Sequence, residues 1–368
     1  MSDMIRVLVV DDSVVIRKMV SDVLASDPAI EVIGVAANGS IALDKIDKLK
    51  PDLITLDIEM PVMDGLETLK ELRKLHPRLK VIMFSTLTER GARASLDALS
   101  LGANDYVTKP ANVGSVAAAQ QCLRDELIPK IKGFFHRGPA LPAKAPVPAP
   151  AKQPVASPVV SPAASVRPGL RQRVDIVAIG ISTGGPNALM EMVPTLPKNF
   201  PVPIVIVQHM PEMFTKLLAD RLDQKSDIQV REAAAGDKLA PGLALIAPGG
   251  FHMTLVRKGA VVETALNQDA PENSCRPAVD VLFRSVSDLY GANVLAVIMT
   301  GMGQDGMLGC QKIKAAGGQV IAQDKESSVV WGMPGAVAGA GLSEELIPLN
   351  RLGSEITRRV QAARFGSK

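Results

Sequence analysis

The sequence runs to 368 residues, 47% of them hydrophobic but only 3% aromatic, with a formal net charge of +3. That length predicts two domains with a core each, and the composition suits α/β layers built on Val, Ile, Leu and Ala. The near-neutral charge argues against nucleic acid as a partner, no uncharged apolar run is long enough to span a bilayer, and the first residues lack a signal-peptide core. A cytoplasmic protein with no membrane insertion is expected.

Residues 5–10 read as an apolar strand that ends in Asp11-Asp12-Ser13. A helix follows, with Ile16, Met19, Val20, Val23 and Leu24 at helical spacing and Ser13 or Asp12 placed to cap it. Further strands are read at 31–36, 52–56, 80–84 and 105–107, with helical patterns between them. This alternation predicts a flavodoxin-like, doubly wound parallel sheet over residues 1–125. Its polar residues gather where strands end: Asp11 and Asp12 after the first, Asp57 after the third, Ser85 and Thr86 after the fourth, Lys109 after the fifth. In flavodoxin-like order the first and third strands are neighbours at the switch point, so the three aspartates share a crevice. Crowded carboxylates repel unless a cation joins them, and hard oxygen ligands suit Mg²⁺.

The run Asp57-Ile58-Glu59-Met60-Pro61-Val62-Met63-Asp64-Gly65, with Asp11-Asp12 before it and Thr108-Lys109-Pro110 after it, resembles the response-regulator receiver family. The resemblance implies that Asp57 accepts a phosphoryl group from a histidine kinase and that Asp11 and Asp12 hold Mg²⁺ with it. It also implies that Ser85 is the switch hydroxyl and that Lys109 contacts the phosphoryl group.

From Gly138 to Pro168 the chain is mostly Ala, Pro, Val and Ser, which predicts an extended spacer. The linker is placed at 126–169 and a second α/β domain, again a mainly parallel sheet, at 170–368. Strands in that domain are read at 174–179, 203–207, 243–247, 292–299 and 319–322.

Gly180-Ile181-Ser182-Thr183-Gly184 after the first of these fits a G-x-S-x-G nucleophile elbow. The same stretch also admits a nucleotide loop or a tight structural turn, although Ser182 stands where a dinucleotide loop needs its second glycine. His209 follows the second strand, within Gln208-His209-Met210-Pro211, and Asp305 follows the fourth, within a glycine-rich loop from Thr300 to Gly306. In a parallel sheet all three lie on the carboxyl edge, and serine, imidazole and carboxylate together are what acyl transfer requires. Met302, between Gly301 and Gly303, is placed to offer its N–H to an oxyanion, and Thr183, next to the serine, is grouped with it. His252 competes for the role of base, but after Gly249-Gly250-Phe251 it reads as a loop residue lining the cleft. Cys275 could be a thiol nucleophile and Arg276 a partner for substrate carboxylates. With no histidine nearby in sequence, Cys275 reads as a buried cysteine before a turn.

Ile179-Gly-Ile-Ser-Thr-Gly-Gly-Pro186, Gln208-His-Met-Pro211, Ala247-Pro-Gly-Gly250, Met299-Thr-Gly-Met-Gly-Gln-Asp-Gly306 and Trp331-Gly-Met-Pro334 resemble the chemotaxis protein-glutamate methylesterases, the CheB family. The resemblance implies that Ser182 is the nucleophile, His209 the base, Asp305 its orienting acid, and that Met302 lies at the oxyanion. It implies hydrolysis of glutamate methyl esters, and deamidation of glutamines, on methyl-accepting chemotaxis receptors, with no cofactor in the catalytic domain. From the residues alone, a phosphorylation-controlled binding protein and a receiver with a nucleotide- or DNA-binding output remain as alternatives.

Overall fold

The computed structural model describes residues 4–110, 115–135 and 173–362. The spacer read at 138–168 lies outside the described residues.

The N-terminal unit alternates strand and helix: β1 (Ile5–Val10), α1 (Val14–Ala25), β2 (Ile30–Ala36), α2 (Gly39–Leu49), β3 (Leu53–Asp57), α3 (Gly65–Leu75), β4 (Lys80–Ser85), α4 (Glu89–Ser100), β5 (Asp105–Thr108) and α5 (Val116–Phe134). The strands form one parallel sheet in the order β2-β1-β3-β4-β5, as the flavodoxin-like reading expects. Local chemistry fixes the helix starts. Ser13 accepts from the Ile16 N–H to cap α1, and Asp64 with Glu67 forms a capping box on α3. Helix α5 continues past residue 125, where the sequence places the domain's end, because Leu127, Ile128, Ile131 and Phe134 are buried against the β1 and α1 side of the sheet.

The second unit comprises β6 (Ile176–Ile181), α6 (Gly185–Met192), β7 (Ile204–Gln208), α7 (Phe214–Lys225), β8 (Gln229–Glu232), β9 (Leu243–Ile246), β10 (His252–Lys258), β11 (Val261–Asn267), α8 (Val279–Tyr290), β12 (Val294–Ile298), α9 (Met307–Ala315), β13 (Gln319–Gln323), α10 (Met333–Gly339), β14 (Glu345–Ile347) and α11 (Leu349–Ala362). Its seven-stranded sheet has the order β14-β13-β12-β6-β7-β9-β8, with every neighbouring pair parallel. All six residues of β6 are buried, which explains its unbroken apolar run. The chain builds outward from β6 first through β7 and later through β12, so the switch point lies at the carboxyl end of β6. The antiparallel hairpin β10–β11 and the edge strands β8 and β14 are additions to the strands read from sequence.

The two units share an apolar cluster that joins Leu96, Leu99 and Tyr106 to Leu189 and Phe214. Tyr106 stacks on Phe214 with ring centroids 4.7 Å apart and planes 4° from parallel. Asn187 Nδ2 donates to Leu99 O at 3.0 Å, and Arg221 Nη2 donates to Asp97 Oδ1 at 2.6 Å. Among the described residues, no helix is long and apolar enough to cross a membrane.

Candidate active site

In the N-terminal unit the carboxyl ends of β1 and β3 bring Asp11, Asp12 and Asp57 together, with one ligand atom from each lying within 4.8 Å of the others. Lys109, after β5, reaches into the same crevice: its Nζ lies 2.9 Å from Asp11 Oδ2 and 2.8 Å from Asp57 Oδ2. Burial pushes Asp57 up to about 6, against the lowering effect of Lys109, and the Asp11 charge pushes the same way. Three hard carboxylates around one point, two of them buried, make a donor set that fits a divalent cation. Ser85 ends β4, buried and paired in register with Thr108, while Asp57 pairs with Phe84, so Ser85 borders the crevice.

In the second unit Ser182 follows β6, His209 follows β7 and Asp305 follows β12 in the loop before α9. These are adjacent strand ends at the switch point. Gly184, at φ 76°, turns the chain from β6 into α6 in a conformation that side-chain-bearing residues avoid. The turn is tied down from three sides. Ser182 N–H donates to Thr300 O at 3.0 Å, Gly185 N–H donates to Ser182 O at 2.7 Å, and Gln208 Nε2 donates to Ser182 O at 3.0 Å.

His209 Nε2 and Asp305 Oδ2 lie 2.8 Å apart, with side chains only 11% and 3% exposed. Asp305 receives four further donors: Val279 N–H at 2.6 Å on Oδ2, and Asp280 N–H at 3.0 Å, Gly306 N–H at 2.9 Å and Asn273 Nδ2 at 2.9 Å on Oδ1. Burial alone would raise Asp305, but His209 and these backbone donors outweigh it and hold the carboxyl below its usual range. Burial alone would likewise lower His209; the bond to Asp305 and the contact with Cys275 reverse this and push it to about 10.

Met302 sits in the loop beside this pair. Gly301 before it packs so tightly on the serine turn that a Cβ there would come within 2.8 Å of Ser182 Cβ. Among the described residues, neither the Met302 nor the Thr183 N–H donates to a protein acceptor. Thr183 is buried, its carbonyl taken by Thr300 Oγ1 at 2.9 Å.

Two expectations change. His252 is not a loop residue lining the cleft: it opens β10, is 1% exposed, accepts from Ala278 N–H at Nδ1 (3.2 Å) and donates from Nε2 to Ala270 O (3.1 Å). Both its nitrogens are committed, which removes it as a base. Cys275 is half-buried rather than fully buried, and its Sγ lies 3.5 Å from His209 Nδ1. Sequence reading also missed Gln208, Thr300 and Asn273, the polar residues that hold the serine turn and Asp305 in place. For Gln208 and Thr300 a signal existed, a polar side chain closing an otherwise apolar strand. For Asn273 there was none.

The comparisons with known proteins divide the chain the same way. Residues 177–356 match the family described as CheB methylesterase, and residues 7–121 match the response regulator receiver domain. A protein-glutamate methylesterase/protein-glutamine glutaminase of Trichodesmium erythraeum (strain IMS101) is 52% identical over 355 residues, covering 96% of this chain and 99% of that protein. A protein of the same description from Nocardioides sp. (strain ATCC BAA-499 / JS614) is 51% identical over 360 residues, with 98% and 96% covered. The crystal structure of the Thermotoga maritima CheB methylesterase catalytic domain superposes with a TM-score of 0.50 at 45% identity, covering 50% of this chain and 98% of that one. A receiver crevice, a serine turn beside a buried histidine–aspartate pair and relatives aligned over nearly their whole length place this chain in the family of protein-glutamate methylesterases/protein-glutamine glutaminases.

Proposed function

We propose that the chain hydrolyses glutamate methyl esters of chemotaxis receptors, releasing methanol, and converts particular receptor glutamines to glutamates. The observation that carries the chemistry is the buried His209–Asp305 pair at 2.8 Å, on strand ends flanking the one that presents Ser182. Asp305 holds Nε2, so Nδ1 is the nitrogen left to take the Ser182 proton as the hydroxyl attacks the ester carbonyl. Negative charge then gathers on the carbonyl oxygen, where the unspent N–H groups of Met302 and Thr183 can meet it. The imidazolium returns its proton to the departing methoxide. Water, deprotonated by the same nitrogen, then cleaves the acyl-Ser182 intermediate. Ammonia replaces methanol as leaving group when the substrate is a glutamine.

Control comes from the receiver. Asp57 accepts a phosphoryl group from a histidine kinase, and Asp11, Asp12 and Asp57 would hold Mg²⁺, which neutralises charge on the phosphoryl group in transit. Lys109, already within 3 Å of Asp11 and Asp57, supplies a fixed positive charge in the same crevice. Ser85 borders it as the hydroxyl that senses the modification. The α4–β5 face packs on α6 and α7 through Asn187, Arg221 and the Tyr106–Phe214 stack, next to the turn that bears Ser182. Loosening that face on phosphorylation would open the site. A swing from 1:99 to 99:1 between closed and open requires about 5.5 kcal/mol of preference.

The test follows methanol release from methylated receptor membranes, with and without acetyl phosphate and Mg²⁺. Release should rise with the phosphodonor, vanish in Ser182→Ala and lose its stimulation in Asp57→Ala. No release under any condition from a receiver that still becomes phosphorylated would refute the proposed reaction.

A further inference from the structure

The segment between β11 and α8 touches the acid–base pair at both ends. It carries Asn273 and Ser274, consecutive non-glycine residues with φ of 52° and 61°. Asparagine tolerates this left-handed region, but two such residues in succession cost free energy that something must offset. The segment is fastened at each side. Glu272 receives two bonds from Arg284, at 2.7 and 2.6 Å, and exchanges backbone bonds with Cys275; Arg276 Nη1 donates to Gln268 O at 2.9 Å and Asp269 O at 3.0 Å.

The result of this bend is that alternate side chains reach the same pair. Asn273 Nδ2 bridges Asp305 Oδ1 at 2.9 Å and Asp280 Oδ2 at 3.0 Å. Cys275 Sγ lies 3.5 Å from His209 Nδ1, on the far side of the imidazole from Asp305. Cys275, His209 and Asp305 are therefore lined up as a relay of sulfur, imidazole and carboxylate. Since Asp305 takes Nε2, Cys275 sits at the nitrogen that the reaction assigns to Ser182. The Ser182 hydroxyl makes no hydrogen bond to His209 among the described residues, which agrees with Nδ1 being held by sulfur in this state.

We propose that Asn273 and Cys275 are positioning residues for the hydrolytic base, Asn273 fixing the carboxylate and Cys275 holding the Nδ1 edge of His209 until Ser182 takes its place. This rests on the reading that Ser182, His209 and Asp305 hydrolyse esters, and it names two residues that tune the pair without touching substrate. Their substitutions act on His209 in opposite directions. Cys275 favours the protonated imidazole, so removing the sulfur makes the ring easier to keep neutral. Asn273→Asp puts a carboxylate beside Asp305, so the imidazolium is held more strongly.

The readout is the acid limb of the pH dependence of methanol release, measured as kcat and KM for the full-length protein with phosphodonor present. Cys275→Ala should move the limb toward acid, Cys275→Ser should lie between it and wild type, and Asn273→Asp should move the limb toward alkali by about one unit. A purely structural role predicts lower Tm and lower kcat with the limb unmoved, and that result would overturn the proposal. Retention of hydrolysis in Ser182→Ala with its loss in Cys275→Ala would also overturn it, because the thiol would then be the nucleophile.

A second measurement does not depend on ester hydrolysis. Iodoacetamide alkylation, mapped by mass spectrometry, compares Cys275 with the exposed Cys122 of α5, whose thiol is pushed up by burial, Glu126 and Asp125. His209→Gln should change the alkylation rate of Cys275, whose sulfur contacts that ring, and leave the rate of Cys122 as in wild type. Equal rates in wild type and His209→Gln would break the claimed contact whatever the esterase assay gives. Absent methanol release with intact histidine-dependent alkylation would instead refute the methylesterase reading while leaving the contact standing.

Discussion

Asp305→Asn is the most informative change, because the five donors around the carboxylate dictate how an amide must sit. Three of them, from Asp280, Gly306 and Asn273, point at Oδ1, while Val279 N–H and His209 Nε2 face Oδ2. The amide carbonyl therefore takes the Oδ1 side and the NH₂ group takes the other. There it can bond His209 only if Nε2 is an acceptor, which places the imidazole proton on Nδ1, the nitrogen to which the proposed reaction assigns the Ser182 proton. The wrong tautomer lowers kcat in a serine triad by about 10⁴, or about 5 kcal/mol of transition-state stabilisation. Val279 N–H also loses its acceptor and meets a donor, which costs about 1–3 kcal/mol of stability. Methanol release from methylated receptor membranes measures the first effect and thermal unfolding the second. A variant that keeps kcat within about tenfold of wild type would refute the assignment of Asp305 to tautomer control.

As the proposed base His209 has to be neutral, and it is pushed above its ordinary 6.5 to about 10, so hydrolysis should rise with pH along an acid limb displaced to the alkaline side of 6.5; a profile already flat at 6.5 would refute this. Asp57 titrates near 6, and a protonated carboxyl is a poor ligand, so the Mg²⁺ affinity of the receiver should fall as pH drops through about 6; a calorimetric Kd that stays constant across that range would contradict the ligand set. Asp97→Arg replaces an ion pair with Arg221, at 2.6 Å and half exposed, by two like charges. An exposed pair is worth about 0.2–1 kcal/mol, so unphosphorylated hydrolysis should rise by up to roughly fivefold and the stimulation by acetyl phosphate should shrink; unchanged basal release would count against the receiver as cover. Gly301→Ala forces a methyl group against Ser182 Cβ and should abolish hydrolysis while the far-ultraviolet circular dichroism stays that of wild type; retained hydrolysis would place the serine turn elsewhere.

The parts of the molecule legible in its sequence share one physical origin. A parallel strand buried on both faces must be a continuous apolar run, and its chemistry can begin only where the run stops. Hence β1, β3, β6, β7 and β12 announced both themselves and the residues after them. What stayed hidden depends on contacts between distant positions. Cys275 is 66 residues from His209 and Asn273 is 32 from Asp305, so no local spacing could join them. The extent of helix α5 is not legible locally because apolar contacts with the receiver sheet decide its length; they carry it through Pro129, a residue that locally favours termination. In β10 the buried Met253 and Leu255 alternate with half-buried Thr254 and Val256, a short pattern that needs its partner strand β11 in view to be told from a loop.

The two units solve the same electrostatic problem with opposite ends in view. Each buries a carboxylate at the carboxyl edge of a parallel sheet and pairs it with a cationic or protonatable group, Lys109 for Asp57 and His209 for Asp305, at 2.8 Å in both. In the receiver the carboxylate is held by one ammonium and little else, so burial and Asp11 dominate and its proton affinity rises. Under the proposed function, that would leave Asp57 an acceptor whose negative charge is poorly satisfied until a cation and a phosphoryl group arrive. In the hydrolytic unit five donors saturate Asp305, its proton affinity falls, and the unsatisfied demand moves to the far nitrogen of His209. One environment raises the proton affinity of its carboxylate and the other lowers it, which suits the roles proposed for Asp57 as covalent acceptor and for His209 as proton shuttle. Substitutions that add donors around Asp57, or remove them from Asp305, should each erode the function of their own unit while leaving its fold intact.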